Sequence, residues 1–294
     1  RHFAARTDFV GRTGMNLSSR TLAVAVLRGT DWNDAPVAKS IAVAGSTIPV
    51  AIYSNGKAGL PPVGGHFEES LDDGRNPGVG PRYLQAARLA DERGDSFLLL
   101  LDHDFTAPDG WWTAYEAAVD NHPQATCWAP RLVHDGKRLS PFVVKCGTPR
   151  RGAPIGSGPW DTTGIVALNS GLLVRVDAVL SAAHELTRAP LDFSDYALFH
   201  RLGRAGSTLA AVDLELSHDS STHTRAPIEG RLARFAWFCI GARAYAELDP
   251  VHSWPLRRWS LGRALKLSAL HMDRRFLSTW TRHFAKGIPL EPAP

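Results

Sequence analysis

The chain has 294 residues, 44% of them hydrophobic, 9% aromatic and 21% charged. That excludes a disordered polymer and leaves room for one large domain, or a domain with an appendage. The formal net charge is only +4, no stretch reaches the roughly 20 apolar residues of a membrane span, and the three scattered cysteines, Cys127, Cys146 and Cys239, read as core thiols in a reducing compartment rather than as a zinc site or disulfide framework.

Residues 1–20 read as a loose polar leader without the apolar core of a signal peptide. Thr21 to Leu27 (TLAVAVL) is apolar and β-branched and predicts a first strand. Ala35 to Gly45 suits a short helix. Ile48 to Tyr53 predicts a second strand, closed by the turn signal Ser54-Asn55-Gly56. A glycine-rich loop, Asp72 to Gly80, precedes a helix over Pro81 to Arg93, with proline at a favourable first-turn position. Phe97 to Leu101 predicts a buried strand and Pro108 to Val119 a helix. Ala125 to Leu132 and Phe142 to Cys146 suit further strands, and Gly147 to Gly164, rich in Gly and Pro, reads as a flexible loop. Strands alternating with helices indicate an α/β sandwich with a largely parallel sheet. From about Arg225 the chain turns helical, aromatic and basic. Trp, Phe and Leu alternate with Arg and Lys, which suits either a helical extension packed on its own domain or contact with a membrane surface. No recognisable nucleic-acid motif accompanies this charge, so nucleic acid is not an expected partner.

The chemistry begins at Ser96 to Phe105. The apolar run Phe97 to Leu101 ends in Asp102-His103-Asp104, two carboxylates with one residue between them. A buried strand delivers such a pair to its C-terminal edge, where open α/β sheets place ligands. Carboxylates this close repel unless a cation lies between them. Mg²⁺ or Mn²⁺ is the natural choice, usually with substrate phosphates. If the segment is extended, His103 points away from the metal. Trp111 and Trp112 follow closely and suit either a stacking platform for a sugar ring or acceptor, or core packing. Three further stretches carry polar groups at element boundaries. In Leu168 to Arg175 (LNSGLLVR), a Ser-Gly pair permits close backbone approach to a ligand. Leu191 to Gly206 has an acidic start, a helical body and a terminal Gly, so Asp195 falls near a helix N-terminus. In Leu216 to Ser221, His218 follows an apolar strand and can offer a neutral imidazole to a metal.

In this order and spacing, LLLLDHDF, LNSGLLVR, LDFSDYALFHRLGRAG and LSHDSS resemble glycosyltransferase family 2, the inverting enzymes of the GT-A fold, and most of all its bacterial rhamnosyltransferase-type members. The resemblance spans about Thr21 to Ser221. It implies a Rossmann-like α/β/α sandwich with a mixed, mainly parallel sheet: a catalytic domain over 21–224, after the leader and before a basic helical extension over 225–294. It implies that Asp102 and Asp104 bind the divalent ion and the nucleotide diphosphate, that Asp195 is the catalytic base, and that His218 touches the metal or the diphosphate. It further implies that Asn169, Ser170 and Gly171 line the acceptor and donor pocket, and that Asn76 and Gly78 form the Asn-x-Gly loop near the nucleotide. Where relatives often carry Asp-Asn at the end of strand two, this chain has Ser54-Asn55, so the acid expected to grip the nucleotide is missing or displaced, and Asn55 is the residue of that pair expected to bind the donor. An ordinary carboxylate is already ionised at neutral pH, so Asp195 needs no tuning to act as a base.

The function so implied is transfer of rhamnose or another hexose from a nucleotide-sugar donor to a hydroxyl of a glycan or lipid-linked acceptor. The setting would be bacterial surface polysaccharide synthesis, in the cytoplasm or peripherally at the inner face of the membrane. Two alternatives stand beside it. A nucleotidyltransferase also pairs acids with a nucleotide phosphate, although Thr21 to Asp31 lacks the Gly-rich, Lys/Arg-containing loop of that class. A non-catalytic carbohydrate- or membrane-binding module could retain the same fold.

Overall fold

The computed structural model describes residues 16–56, 58–145, 148–150, 158–217 and 227–290. Its first half runs β1 (Thr21–Leu27), α1 (Pro36–Ala42), β2 (Val50–Ser54), β3 (Phe67–Leu71), α2 (Val79–Arg93), β4 (Phe97–Asp102) and α3 (Trp112–Asn121). The second half runs β5 (Cys127–His134), β6 (Lys137–Ser140), β7 (Phe142–Lys145), β8 (Thr148–Arg150), β9 (Trp160–Asp161), β10 (Ile165–Val166), β11 (Leu172–Arg175), α4 (Val176–Ser181), α5 (Ala183–Arg188), α6 (Ser194–Arg204) and β12 (Thr208–Ser217). Helices α7 (Ile228–Leu248), α8 (Ser253–His271) and α9 (Arg275–Thr279) follow, and a π-helical turn over Trp280–Ala285 completes them.

The main sheet has the strand order β3-β2-β1-β4-β11-β5-β12-β9, with β6 beside β5. The pairs among β3, β2, β1 and β4 are parallel, as is β5 with β12. β11 is antiparallel to both β4 and β5. A second, smaller sheet joins β10, β7 and β8. The class is therefore α/β with a mixed, mainly parallel sheet and a C-terminal helical region, consistent with a GT-A-like fold.

The continuous apolar runs follow from burial on both faces. In β1, Leu22, Val24 and Val26 face the core shared with α2, α5, α6 and α7, and Ala23, Ala25 and Leu27 face the core shared with α1 and α3. β4 divides in the same way, Leu98 and Leu100 against Phe97, Leu99 and Leu101. All four leucines are fully buried, worth about 1.5–3 kcal/mol each in transfer from water.

Several boundaries differ from expectation. β3 (FEESL) carries no apolar run because it is an edge strand of half-buried residues. Parts of the expected 147–164 loop are strand: β8 pairs with β7, and β9 pairs with β12. Cys127 and Cys239 are buried thiols, as expected; Cys146 lies outside the described residues.

The C-terminal helices pack on the body of the domain. Phe235, Phe238, Cys239, Ala242 and Tyr245 of α7 enter the same core as Phe193, Tyr196 and Phe199. α7 lies so close to the segment before α6 that a Cβ at Gly241 would stand 1.9 Å from the Asp192 carbonyl oxygen. Only glycine permits that approach, so α7 acts as a brace behind residues 191–195. Among the described residues no helix is long and apolar enough to cross a membrane.

Candidate active site

A cavity of about 620 Å³ opens at the C-terminal ends of β1, β2 and β4. Asp102, His103, Asp104, Asn55, Asn76, Asn169 and Asp195 all line it. Five segments far apart in sequence thus converge as the ordered motifs implied.

Asp102 is the last residue of β4 and keeps the parity of Leu98 and Leu100. The chain then turns, with the Phe105 N–H donating to the Asp102 carbonyl at 3.0 Å. The turn breaks the two-residue alternation, and His103 joins the cavity lining together with Asp104; an extended segment would have sent it away. Tyr83 of α2 is buried beneath the acids. Burial, then the charges of Asp102, Asp195 and Asp104, hold its phenol well above the ordinary range. Tyr83 therefore stays protonated, its buried hydroxyl without a hydrogen-bond partner among the described residues.

The antiparallel β11 brings the second motif to the same edge. Leu172 pairs with Leu100, and the Gly171 N–H donates to the Leu100 carbonyl at 2.9 Å. Asn169, 9% exposed, faces the cavity. Its Nδ2 donates to Ser194 Oγ at 3.1 Å, while its Oδ1 has no partner among the described residues. A buried, unpaired amide oxygen on a cavity wall suits a hydroxyl donor on a ligand. Ser170 and Gly171 lie behind that wall. Ser170 is buried, and the Gly171 carbonyl accepts from Tyr115 Oη at 2.6 Å.

Asp195 sits in the first turn of α6, 9% exposed, its carboxylate accepting from the Tyr196 N–H at 3.0 Å. Burial raises its pKa to about 7. The charges of Asp192 and Asp102 add to the rise, and the Tyr196 N–H opposes it. The expectation of an untuned carboxylate is corrected: Asp195 is poised in the range where a general base works best. The preceding residue but one, Phe193, is left-handed at φ +68°, a costly conformation for a bulky side chain. Packing against Tyr196, Phe238 and Tyr245 holds it there.

Arg28 and Asn55 line the cavity at the ends of β1 and β2, and among the described residues no acid does so there. Asn55 is buried, its Oδ1 accepting from Arg82 Nε at 3.4 Å. Arg82, 3% exposed, also donates to the Ser54 carbonyl at 3.0 Å and pairs with Asp73 at 2.7 Å. It ties the end of β2 to the Asp72–Gly80 loop. Asn76 of that loop reaches the cavity. Gly78 does not: at φ +91°, its Cβ position is 2.2 Å from the Pro190 carbonyl oxygen, so it serves close packing against the segment leading to Asp195.

Trp111 and Trp112 correct the stacking-platform expectation. They are 2% and 0% exposed and belong to the core beneath α1 and α3. Trp111 Nε1 donates to the Ser40 carbonyl at 2.7 Å, and Trp112 stacks on Tyr115. The aromatic residues that do line the cavity are Phe142, Phe193, Tyr196, Phe238 and Trp259.

Among the described residues no three His, Cys, Asp or Glu side chains cluster as a metal site. His218 lies outside the described residues. Asp102 and Asp104 supply hard oxygen donors to the cavity, which suits a cation that takes one or two carboxylates and leaves its other positions to phosphates and water.

Sequence reasoning missed four charged residues of the cavity. Arg28, Asp192, Arg234 and Arg263 all line it, the last two from α7 and α8. Arg234 pairs with Asp192 at 2.6 Å. Asp192 was visible in the LDFSD motif, but nothing in the sequence shows which arginines of the basic extension turn inward.

No protein-family model matches the chain, and no curated protein matches it. Among solved structures, a 1–349 piece of S. aureus TarS aligns over 92% of this chain and 93% of that one, at 10% identity and a TM-score of 0.47. A longer S. aureus TarS structure aligns over 92% of this chain and 49% of its own, at 11% identity and a TM-score of 0.49. The bifunctional IspDF from Campylobacter jejuni aligns over 66% of this chain and 49% of its own, at 12% identity and a TM-score of 0.38. The chain thus spans about half the length of the last two.

Proposed function

We propose that the chain is an inverting glycosyltransferase, moving rhamnose or another hexose from a nucleotide-diphosphate donor to a hydroxyl of a glycan or lipid-linked acceptor. The observation that carries this reading is the convergence of Asp102, Asp104 and the tuned, buried Asp195 on one cavity. Asp195 accepts the proton of the acceptor hydroxyl. That oxygen bonds to the anomeric carbon as the bond to the diphosphate oxygen breaks on the opposite face, and the diphosphate departs with the bonding pair. Asn169 Oδ1 takes a hydrogen bond from a sugar hydroxyl. Asp102 and Asp104 would hold Mg²⁺ or Mn²⁺, whose charge, when bound, offsets that of the departing diphosphate.

A thermal-shift screen of nucleoside diphosphates with Mn²⁺ tests the donor half of this reading. One nucleotide should raise the melting temperature in the presence of the metal, as a ligand specific to the folded state must. A flat response across all nucleotides with Mn²⁺ would count against it.

Peripheral membrane contact belongs to the same proposal. Along α8 and just after it, Trp254, at 64%, Leu265, at 52%, Leu270, at 67%, and Met272, at 88%, are exposed, among the exposed cations Arg257, Arg258, Lys266 and Arg274. Exposed apolar groups interleaved with cations suit an anionic bilayer surface, where each cation contributes about 1 kcal/mol. The full chain should co-sediment with anionic vesicles and not with neutral ones, and Trp254→Ala with Leu265→Ala should weaken it severalfold. Equal binding to both vesicle types, or none to either, would remove membrane contact from the account.

A further inference from the structure

A second cavity, of about 320 Å³, adjoins the first and is bounded by α6, the small sheet and the end of α7. Tyr196 lines both cavities. The face of α6 that runs on from it, through Phe199, His200, Gly203 and Arg204, lines only the second. These positions recur at three- and four-residue spacing, so they form one stripe of the helix. From Tyr196 to Arg204 the stripe extends roughly 12 Å along the helix axis. β7 is divided in the same way. Phe142 lines the first cavity, and Val144, two residues on and on the same face of the strand, lines the second. The second cavity is therefore a separate cleft, which begins at the residue after Asp195 and leads away from it.

Its lining suits an apolar guest. Val144, Val166, Phe199 and Tyr245 supply its walls, and a cleft of this size with mainly apolar walls is the usual form of a small-ligand site. Polar side chains among them are already engaged within the protein. Asp249 Oδ2 and His252 Nδ1 pair at 2.6 Å, and Thr162 Oγ1 donates to the Ser207 carbonyl at 3.0 Å. The catalytic cavity differs, since Asn169 leaves a buried Oδ1 unpaired there among the described residues. A sugar entering the second cleft would give up water for few new hydrogen bonds, whereas an apolar chain gains the full benefit of leaving water. His252 belongs to the turn between α7 and α8. Its neighbours Val251 and Trp254 are 83% and 64% exposed, so apolar surface lies beside the cleft on the outside of the molecule.

Resting on the transferase reading above, we infer that this cleft holds the apolar chain of a lipid-linked acceptor, whose sugar hydroxyl reaches Asp195 past Tyr196. The acceptor class then narrows from glycans in general to amphiphiles. Sugars without an apolar chain should be poor acceptors.

The test is calorimetric, on the full chain, with n-butyl, n-hexyl and n-octyl glucoside as probes below their micelle-forming concentrations and glucose as the control. In wild type each lengthening by two methylenes should tighten binding by about tenfold, as burial of that much apolar surface implies. Val144→Trp, which fills the cleft, and Val144→Asp, which puts a charge in it, should each weaken octyl glucoside by about tenfold or more. Trp254→Ala should leave it within about twofold. The rise in melting temperature with nucleoside diphosphate and Mn²⁺ should persist in every variant. The chain-length series needs no variant, so it tests the inference even where a Val144 variant misfolds. No binding of octyl glucoside, no dependence on chain length, or equal binding of glucose overturns the inference. So does a loss in Trp254→Ala with none in folded Val144 variants, which would mean adsorption to the outer surface. Loss of anionic-vesicle binding in folded Val144 variants would assign the cleft to a bilayer lipid and overturn the acceptor role. A nucleotide shift without octyl glucoside binding refutes this inference alone. Octyl glucoside binding without any nucleotide shift overturns the transferase reading, and the acceptor role with it.

Discussion

Asp195→Asn is expected to lower kcat by about 10²–10⁴-fold, the usual worth of a positioned general base, while leaving nucleoside diphosphate binding within about twofold of wild type. It should do so without unfolding the protein. Burial, seconded by Asp192 and Asp102, raises the Asp195 pKa from 3.8 to about 7, so the fold favours the protonated acid. Stability is therefore withdrawn as pH rises from about 3.8 towards 7, opposite to the trend of a salt-bridged carboxylate. Asparagine is neutral at every pH. Above pH 7 the variant should melt no lower than wild type, and higher if nothing else changes. Loss of turnover in a protein that is at least as stable separates a chemical role from a structural one. Catalysis needs the ionised form, so wild-type kcat/KM should rise with pH at low pH and level off around neutrality. A divalent cation beside Asp102 would favour the carboxylate and move that midpoint downward. Near-normal turnover in Asp195→Asn would show that another group takes the proton.

Asp104→Ala is expected to act at the other end of the reaction. Nucleoside diphosphate should no longer raise the melting temperature with Mn²⁺, and kcat/KM should fall by about 10²-fold or more, as removal of several kcal/mol of charge stabilisation implies. Asp104 lies in the turn after β4 and lines the cavity without belonging to a strand, so its truncation should leave the melting temperature of the unliganded protein nearly unchanged. The two variants then report different losses. Asp195→Asn keeps the metal-linked nucleotide shift and loses turnover, and Asp104→Ala loses both. A full nucleotide shift in Asp104→Ala would move the cation away from this pair.

The parts of the fold legible in the sequence are those where one physical term dominates. β1 and β4 are buried on both faces, so their apolar runs mark them almost to the residue. β3 was invisible because an edge strand of half-buried residues needs no such run. The reversed direction of β11 leaves no local trace, since its four residues read alike in either sense, yet that reversal carries Asn169 to the end of β4. At the site, Asp102, Asp104, Asn169 and Asp195 were legible because each stands at an element boundary, where polar residues interrupt an apolar pattern. Arg28, Arg234 and Arg263 were not. Basic residues on amphipathic helices read as a surface, and only the packing of α7 on α6, and of α8 on α7, brings two of them to the cavity. Trp111 and Trp112 erred in the other direction: closeness to the metal motif in sequence suggested the cavity, whereas the chain after Phe105 dives into the opposite core.

On the proposed function, this cavity breaks the bond between a sugar and a nucleoside diphosphate. The most direct measurement is release of nucleoside diphosphate from a panel of nucleotide sugars by the wild-type chain, with Mn²⁺ or Mg²⁺ and then with the metal chelated. One nucleotide class should be turned over, chelation should abolish release, and Asp195→Asn should release the nucleoside diphosphate about 10²–10⁴-fold more slowly than wild type. A soundly folded wild type that releases no nucleoside diphosphate from any donor with either metal, or one whose release survives chelation, would contradict it.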